Sequence, residues 1–170
     1  GMRQRCLIAM ALSCQPDLLI ADEPTTALDV IIQAEILDLI RDLKGRLGMA
    51  VMLITHDLGI VAQLSDKVAV MYAGNIMEFT DVNTIFDQPR HPYTMSLLDS
   101  IPSLESKDRL KTIRGTIPDL LNPPSGCKFQ PRCMYARGEC SQQQPPLTNA
   151  DGSGHLVACL HYEELETLGG

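Results

Sequence analysis

Two acidic side chains, Asp22 and Glu23, directly follow the apolar stretch 18–21 and precede Pro24. The stretch is too short for a helix, so it predicts a strand of a parallel sheet, buried on both faces. Ligands bind in the crevice at the carboxyl ends of such strands. Paired carboxylates at this edge suggest that Asp22 lies beside Mg²⁺ and that Glu23 polarises a water that attacks a phosphate. The alternative is two solvated acids that end a strand.

A second strand end carries a histidine. Apolar residues recur at helical spacing over 32–47, and the apolar stretch 51–54 then predicts another buried strand, followed by His56. A strand, a helix and a second strand form a parallel crossover, whose strands end at the same edge of the sheet. We therefore expect His56 to lie near Glu23. The alternative for His56 is a purely structural role.

Other elements are needed to hold these strand ends in place. Asp29 is the expected N-cap of the long helix and Gly48 its expected C-terminal stop. Residues 2–14 resemble a short secretion signal, but we favour a buried helix in which Cys6 and Cys14 are core residues. Further along the chain we predict a helix over 58–64, a hairpin of strands 67–72 and 76–79, a helix from the N-cap Asp81 to 86, and a helix over 93–100.

Length and composition limit the possible functions. The chain has 170 residues, 45% of them hydrophobic, which fits one domain with an appendage. Its net charge is −7 and it has no basic stripe, so nucleic acid is not the expected partner. No apolar run approaches the roughly 20 residues that span a bilayer. Any membrane association is therefore expected to go through another protein.

Three motifs in order, ADEP at 21–24, T-ALD at 26–29 and THD at 55–57, carry a family resemblance. They resemble the Walker B motif, D-loop and switch histidine of the ATP-binding-cassette (ABC) ATPases. The resemblance implies an α/β fold with part of the parallel sheet of a P-loop NTPase-like ATPase. It also implies four roles: Mg²⁺ and ATP binding for Asp22, the catalytic base for Glu23, γ-phosphate sensing for His56, and communication across a dimer for Asp29.

The N-terminus resembles the end of the ABC signature motif, with Gly1, Met2 and Gln4 as candidate nucleotide contacts. No G-x-x-x-x-G-K-S/T phosphate loop occurs in the sequence. We therefore expect the chain to be the C-terminal part of a cassette whose full-length form hydrolyses ATP with Mg²⁺, and the chain alone to be inactive. Missing strands would leave unpaired sheet edges, so we also expect it to self-associate.

Further motifs narrow the resemblance. MYAG at 71–74, QP at 88–89 and HPYT at 91–94 resemble the ATP-binding subunits of dipeptide and oligopeptide ABC importers, in particular the D-type subunit. The implied protein is peripheral, at the cytoplasmic face of the membrane. Its implied partners are a second ATPase subunit, transmembrane permease subunits and, indirectly, a peptide-binding receptor. His91 and Tyr93 flank Pro92, and we expect a structural role for them rather than a catalytic one.

Four cysteines occur within 33 residues, with gaps of 5, 6 and 18. They are Cys127, Cys133, Cys140 and Cys159. In a cytoplasmic protein such a group favours a metal over disulfides. An iron–sulfur cluster of the [4Fe–4S] type, a zinc ion, and free or disulfide-bonded thiols all remain open, with His155 and His161 as possible substitute ligands. The segment is similar to the C-terminal extension of the peptide-importer ATPases.

The resulting division has three segments: part of an ABC ATPase domain at 1–101, a linker or arm at 102–126, and a small, irregular, Cys-rich extension at 127–170. The favoured function is the ATP-hydrolysing subunit of a peptide importer. One alternative is an ABC ATPase without a transport role, as in repair or translation. Another is a metal-binding or redox module in which the cassette remnant is inert.

Overall fold

A computed structural model describes residues 1–101 and 112–166 of the chain. The chain divides into two compact units, residues 1–65 and 66–170. Residues 102–111 of the predicted linker and 167–170 of the predicted extension lie outside the described residues. Within the described ranges, no helix combines the length and apolarity needed to cross a membrane. The three-segment division stays a prediction.

Unit 1 is a parallel crossover preceded by a helix. Strands β1 and β2 pair in parallel, with Leu18 opposite Ala50 and Asp22 opposite Ile54. The predicted strand, helix and strand order is therefore confirmed, and both strands end at one edge. The elements of this unit are α1 Met2–Leu12, β1 Leu18–Asp22, α2 Val30–Leu47, β2 Ala50–Ile54 and α3 Leu58–Leu64.

Helix α2 begins and ends where its sequence predicts. The Asp29 side chain accepts a hydrogen bond of 2.9 Å from the Ile32 amide, which satisfies one of the free N–H groups of the first turn. At the other end Gly48 has φ +65°, a left-handed conformation that suits glycine and stops the helix. The buried residues Ile36 and Ile40 of α2 pack with Ile8 of α1 to form the core of this unit.

Three predictions about burial in unit 1 were wrong. The stretch 51–54 was predicted to be a buried strand, but Val51 and Leu53 of β2 are half-buried and Met52 and Ile54 are exposed. Strand β1 is buried on one face only: Leu19 is buried, whereas Leu18 and Ile20 are exposed. Side chains alternate across a strand, and within unit 1 the described helices leave one face of this two-stranded sheet uncovered. Helix α1 buries Ile8 alone, because apolar side chains surround the helix instead of forming one stripe. Cys6 on α1 and Cys14 beyond its end are exposed rather than core residues.

Unit 2 is built on an antiparallel sheet with strand order β3, β4, β6, β5. The predicted hairpin of β3 and β4 is confirmed, with a register shift between Val70 and Met71. The two-residue strands β6 and β5 extend this sheet and were not predicted. The helices and strands of this unit are β3 Lys67–Tyr72, β4 Asn75–Asp81, α4 Val82–Asp87, α5 Pro92–Asp99, β5 Thr148–Asn149, β6 Leu156–Val157 and α6 Tyr162–Glu166, with short 3₁₀ turns at Gln130–Arg132 and Gly138–Ser141.

An aromatic cluster forms the core of unit 2. Phe129 is almost fully buried, and its ring centroid lies 5.3 Å from that of Tyr72 and 5.2 Å from that of Tyr93. His91 is buried beside them and is the N-cap of α5, since its Nδ1 accepts a 3.0 Å hydrogen bond from the Tyr93 amide. His91 and Tyr93 therefore have the structural role that the sequence predicts. Asp81 caps α4 in the predicted way, by accepting from the Thr84 amide.

Candidate functional site

The ends of β1 and β2 bring Glu23 and His56 into direct contact. The distance from His56 Nδ1 to Glu23 Oε1 is 2.8 Å. An ionised carboxylate can only accept a hydrogen bond, so His56 Nδ1 carries the hydrogen and donates it. The second ring nitrogen, Nε2, takes no part in this contact. The imidazole is 83% exposed and the carboxylate 36% exposed. The predicted proximity of these two groups is therefore confirmed.

The second oxygen of Glu23 also has a partner. Thr26 Oγ1 donates a hydrogen bond of 2.7 Å to Glu23 Oε2. The Glu23 backbone is left-handed, at φ +46°, a conformation that is costly for a residue other than glycine. Two bonds hold it there: the Glu23 amide donates to the Ile54 carbonyl, and the Thr26 amide donates to the Glu23 carbonyl. The turn after β1 is therefore fixed on both sides of Glu23.

These contacts shift the titration of both groups. The hydrogen bond from His56, and then the one from Thr26, lower the pKa of the Glu23 carboxyl because both donors favour its charged form. The carboxylate in turn raises the pKa of His56, first through the hydrogen bond and then through its charge. The pair therefore holds an ionised carboxylate and an imidazole that protonates more readily than usual. Both groups remain open to solvent.

The other predicted nucleotide residues lie around this pair. Asp22 is exposed at the end of β1, directly before Glu23. Its oxygen chemistry fits Mg²⁺, which usually takes one or two carboxylates together with water and phosphate oxygens. Asp29 caps α2 through its side chain. Gly1 is the N-cap of α1, and a Cβ built there would lie 3.2 Å from Ile32.

The signature candidates and Asp29 make no hydrogen bond to the Glu23–His56 pair among the described residues. Met2 is exposed and Gln4 is half-buried on α1. The nucleotide roles of these side chains, like that of Asp22, stay predictions.

The four clustered cysteines line one small cavity in unit 2, together with Phe129 and His161. All six cysteines of the chain are free thiols. Burial, with a smaller contribution from the neighbouring thiols, raises the pKa of Cys133 and of Cys159 to about 11. Burial also raises the pKa of Cys127. These thiols are therefore neutral near pH 7 in the absence of a cation.

The predicted metal site of Cys127, Cys133, Cys140 and Cys159 is not formed as a coordination geometry. Within residues 1–101 and 112–166, no group of three or more His, Cys, Asp or Glu side chains is arranged to hold a metal ion. The structure thus gives no support to the [4Fe–4S] cluster or to zinc. His155, a possible substitute ligand, is instead bound to Glu78, and His161 lies 2.9 Å from Glu139.

A buried polar group connects three parts of unit 2. Glu78 on β4 is 0% exposed and His155 is 1% exposed, and Glu78 Oε1 lies 2.7 Å from His155 Nε2. The same carboxylate accepts hydrogen bonds from the amides of Arg90 and His91, at 2.7 and 3.0 Å. Three partners at two oxygens compensate for the burial of the carboxylate. Glu78 therefore fastens both the loop before α5 and the segment directly before β6 to the hairpin.

Sequence reasoning missed Thr26 and Glu78. Thr26 lies within the T-ALD motif, and its position three residues after Glu23 in a turn was the available signal. Glu78 stands as a single acid inside the apolar strand segment 76–79, which could have suggested a buried partner. That partner, His155, is 77 residues away, and its spacing carries no pattern.

Comparison with known proteins defines the class first. A solved ABC transporter of metal-chelate type, in an inward-facing conformation, matches 58% of this chain and 37% of its own chain, with 31% sequence identity and a TM-score of 0.50. Together with the mixed α/β architecture, this match gives the chain the fold of an ABC transporter ATPase.

One family model and several curated relatives also match the chain. Residues 77–140 match the oligopeptide/dipeptide transporter C-terminal region. The chain is 51% identical over 165 residues to the oligopeptide transport ATP-binding protein AppD of Bacillus subtilis, covering 96% of this chain and 50% of the relative. It is 53% identical over 161 residues to the oligopeptide transport ATP-binding protein OppD of Salmonella typhimurium, covering 94% and 48%. The chain is thus a relative of the ATP-binding proteins of peptide ABC transporters.

The chain spans about half the length of the curated relatives it matches. A third relative, the dipeptide transport ATP-binding protein DppD of Caldanaerobacter subterraneus, is 48% identical over 165 residues and is covered to the same extent, 50%. These comparisons do not support the alternatives of a non-transport ATPase or a redox module.

Proposed function

We propose that this chain acts, as part of a longer protein, in the ATP hydrolysis that drives import of dipeptides or oligopeptides. The contact between Glu23 and His56 at adjoining strand ends is the observation that carries the proposal. It joins an ionised carboxylate, which can act as a general base towards a water, to a histidine whose second nitrogen can donate to a phosphate oxygen. The names of the relatives, which are peptide transport ATP-binding proteins, support the substrate class.

Each side chain has a defined task in this proposal. Glu23 accepts a hydrogen bond from the attacking water and then takes its proton. His56 holds Glu23 through Nδ1 and, when protonated, can donate from Nε2 to a phosphate oxygen. Asp22 would hold Mg²⁺, which neutralises charge on the phosphates. Asp29 would communicate with a second ATPase subunit, and Gly1, Met2 and Gln4 would contact the nucleotide of that partner.

The proposed assembly follows from the same family. The protein would lie at the cytoplasmic face of the membrane, bound to transmembrane permease subunits and served indirectly by a peptide-binding receptor. The chain alone is proposed to be inactive. It is also proposed to self-associate, and the uncovered face of the β1–β2 sheet supports this second proposal. The exposed apolar residues of that face are Leu18, Ile20, Met52 and Ile54. Light scattering that gives a monomer at high concentration would contradict the self-association.

The hydrolytic role is tested in the full-length protein. Glu23→Gln keeps the size of the side chain and removes the base, so kcat for ATP should fall at least about 100-fold while ATP still binds. Glu35→Gln is the matched control, since Glu35 is exposed on α2 and bonds to Arg5. Equal activity of the Glu23→Gln variant and the wild type would refute the role. ATP-dependent uptake of peptides, with permease subunits in vesicles, tests the transport substrate.

A [4Fe–4S] cluster, or a zinc ion, at Cys127, Cys133, Cys140 and Cys159 stays a proposal and has no part in the hydrolysis of ATP. The proposal of a [4Fe–4S] cluster, or of zinc, comes from the number and spacing of the four cysteines in the sequence. Anaerobic purification, followed by an absorbance spectrum and analysis for iron, sulfide and zinc, distinguishes the cluster from zinc and from free thiols.

A further inference from the structure

Thr26 contacts Glu23, and none of the roles that the motif resemblance implies accounts for this contact. Its hydroxyl donates 2.7 Å to Glu23 Oε2, while His56 binds Glu23 Oε1 at 2.8 Å. The two donors therefore engage different oxygens of one carboxylate. A carboxylate end group rotates in a broad torsional well, and a donor at one oxygen alone leaves that rotation poorly defined. Donors at both oxygens define the plane of the carboxylate.

The remaining capacity of Glu23 suits a further ligand. An ionised carboxylate offers about four lone-pair sites, and Thr26 and His56 use one on each oxygen. One site on each oxygen is thus left for another donor, such as a water. The Glu23 side chain is partly exposed, so solvent reaches it. A water bound there would meet an acceptor whose direction is already set.

The backbone holds Thr26 independently of its hydroxyl. The Thr26 amide donates to the Glu23 carbonyl at 3.2 Å, which closes the turn. Removing the hydroxyl therefore leaves the bond that shapes the turn, and the side chain of Thr26 is exposed, so no core contact is lost. The hydroxyl contact is directed at the carboxylate rather than needed for the local fold.

We propose that Thr26 is a positioning residue for Glu23: its hydroxyl, bound to Oε2, fixes the plane of the carboxylate together with His56 at Oε1. The proposal rests on the hydrolytic role proposed for Glu23. Thr26 is then a second residue that orients Glu23. His56 contributes both to the orientation of Glu23 and to ligand contact, whereas Thr26 contributes to orientation only.

The contact is tested first by titration of the 170-residue chain. The ¹³C resonance of the Glu23 side-chain carboxyl is followed against pH in the wild type, Thr26→Val and Thr26→Ser. Thr26→Val removes a donor to the charged form and should raise the titration midpoint of Glu23, whereas Thr26→Ser keeps the hydroxyl and should titrate as the wild type does. An unchanged midpoint in Thr26→Val, or an equal rise in Thr26→Ser, overturns the proposal.

Thr84 provides a matched control. Its hydroxyl donates 2.6 Å to Asp81 Oδ2 at the start of α4, the same kind of contact at another turn. Thr84→Val should raise the midpoint of Asp81 and leave that of Glu23 unchanged. A shift of Glu23 in this variant as well would show a general effect of Thr→Val replacement and would count against Thr26.

Kinetics of the full-length protein test the consequence. Thr26→Val should lower kcat for ATP about threefold to tenfold and change KM less than about twofold, because orientation acts on the chemical step. Thr26→Ser should restore kcat. Equal loss in both variants, or a change in KM alone, overturns the positioning role. If the wild type itself shows no ATP hydrolysis, the proposed function fails, whereas the titration still decides whether Thr26 holds Glu23.

Discussion

Replacement of Glu78 by glutamine tests how the C-terminal part of unit 2 is held to the hairpin. Gln has the size of Glu but only one oxygen, whereas the Glu78 carboxylate has three partners: the amides of Arg90 and His91 and the ring of His155. If the amide oxygen takes the place of Oε1, the NH₂ group faces the N–H of His91. Two donors then meet, and one buried N–H loses its acceptor.

The size of the effect follows from these contacts. A buried donor without an acceptor costs about 1–3 kcal/mol, and loss of charge weakens each of the two remaining bonds by about 0.5–1 kcal/mol. We therefore expect Glu78→Gln to lower the free energy of unfolding of unit 2 by about 3 kcal/mol. Glu163→Gln, an exposed replacement on α6, should change it by less than about 0.5 kcal/mol.

Urea unfolding followed by tyrosine fluorescence measures this quantity. The sequence has no tryptophan, and its four tyrosines all lie in unit 2, so the signal reports that unit. They are Tyr72, Tyr93, Tyr135 and Tyr162. A Glu78→Gln variant within about 1 kcal/mol of the wild type, with an unchanged slope against urea, would refute the role assigned to the buried carboxylate.

Two further predictions concern pH. Burial lowers the pKa of His91 to about 4 from an ordinary 6.5, so the unfolded state takes up the proton first as pH falls. The stability contributed by neutral His91 should therefore be complete above about pH 6.5. It should decline by about 3 kcal/mol towards pH 4. His91→Asn keeps an acceptor for the cap of α5 and does not titrate, so urea unfolding should show a flatter pH curve in this window, and an equally steep curve would contradict the assignment. Because Glu23 raises the pKa of His56, Glu23→Gln should lower the titration midpoint of the His56 ring resonance in an NMR titration of the chain. The control Glu35→Gln should leave this midpoint unchanged. Equal midpoints for Glu23→Gln and the wild type would contradict the contact between Glu23 and His56.

Local signals predicted the part of the fold that positions the site. The apolar stretches on either side of α2 predicted a crossover, and parallel strands place their ends together, so the contact of Glu23 with His56 followed from topology alone. The caps Asp29, Gly48 and Asp81 were also predictable, because capping depends on residues within one turn. Such interactions are visible in the order of residues.

Burial and long-range pairing were not predictable in the same way. The apolar pattern of β1 indicates a strand covered on both faces, but coverage depends on which elements pack against it, and Leu18 and Ile20 are exposed. Strand β6 has two residues, too few for a periodic pattern, and joins β4 beside the contact of Glu78 with His155. The four clustered cysteines line one cavity, but their spacing in the sequence did not determine a metal geometry.

The central claim is that Glu23 and His56 act as one unit in hydrolysis, and a double-mutant cycle on the full-length protein tests it directly. ATP hydrolysis is measured for the wild type, Glu23→Gln, His56→Ala and the double variant. If the two groups act together, the double variant should be no slower than the slower single variant. Losses that multiply in the double variant, or wild-type kcat in Glu23→Gln, would contradict the claim.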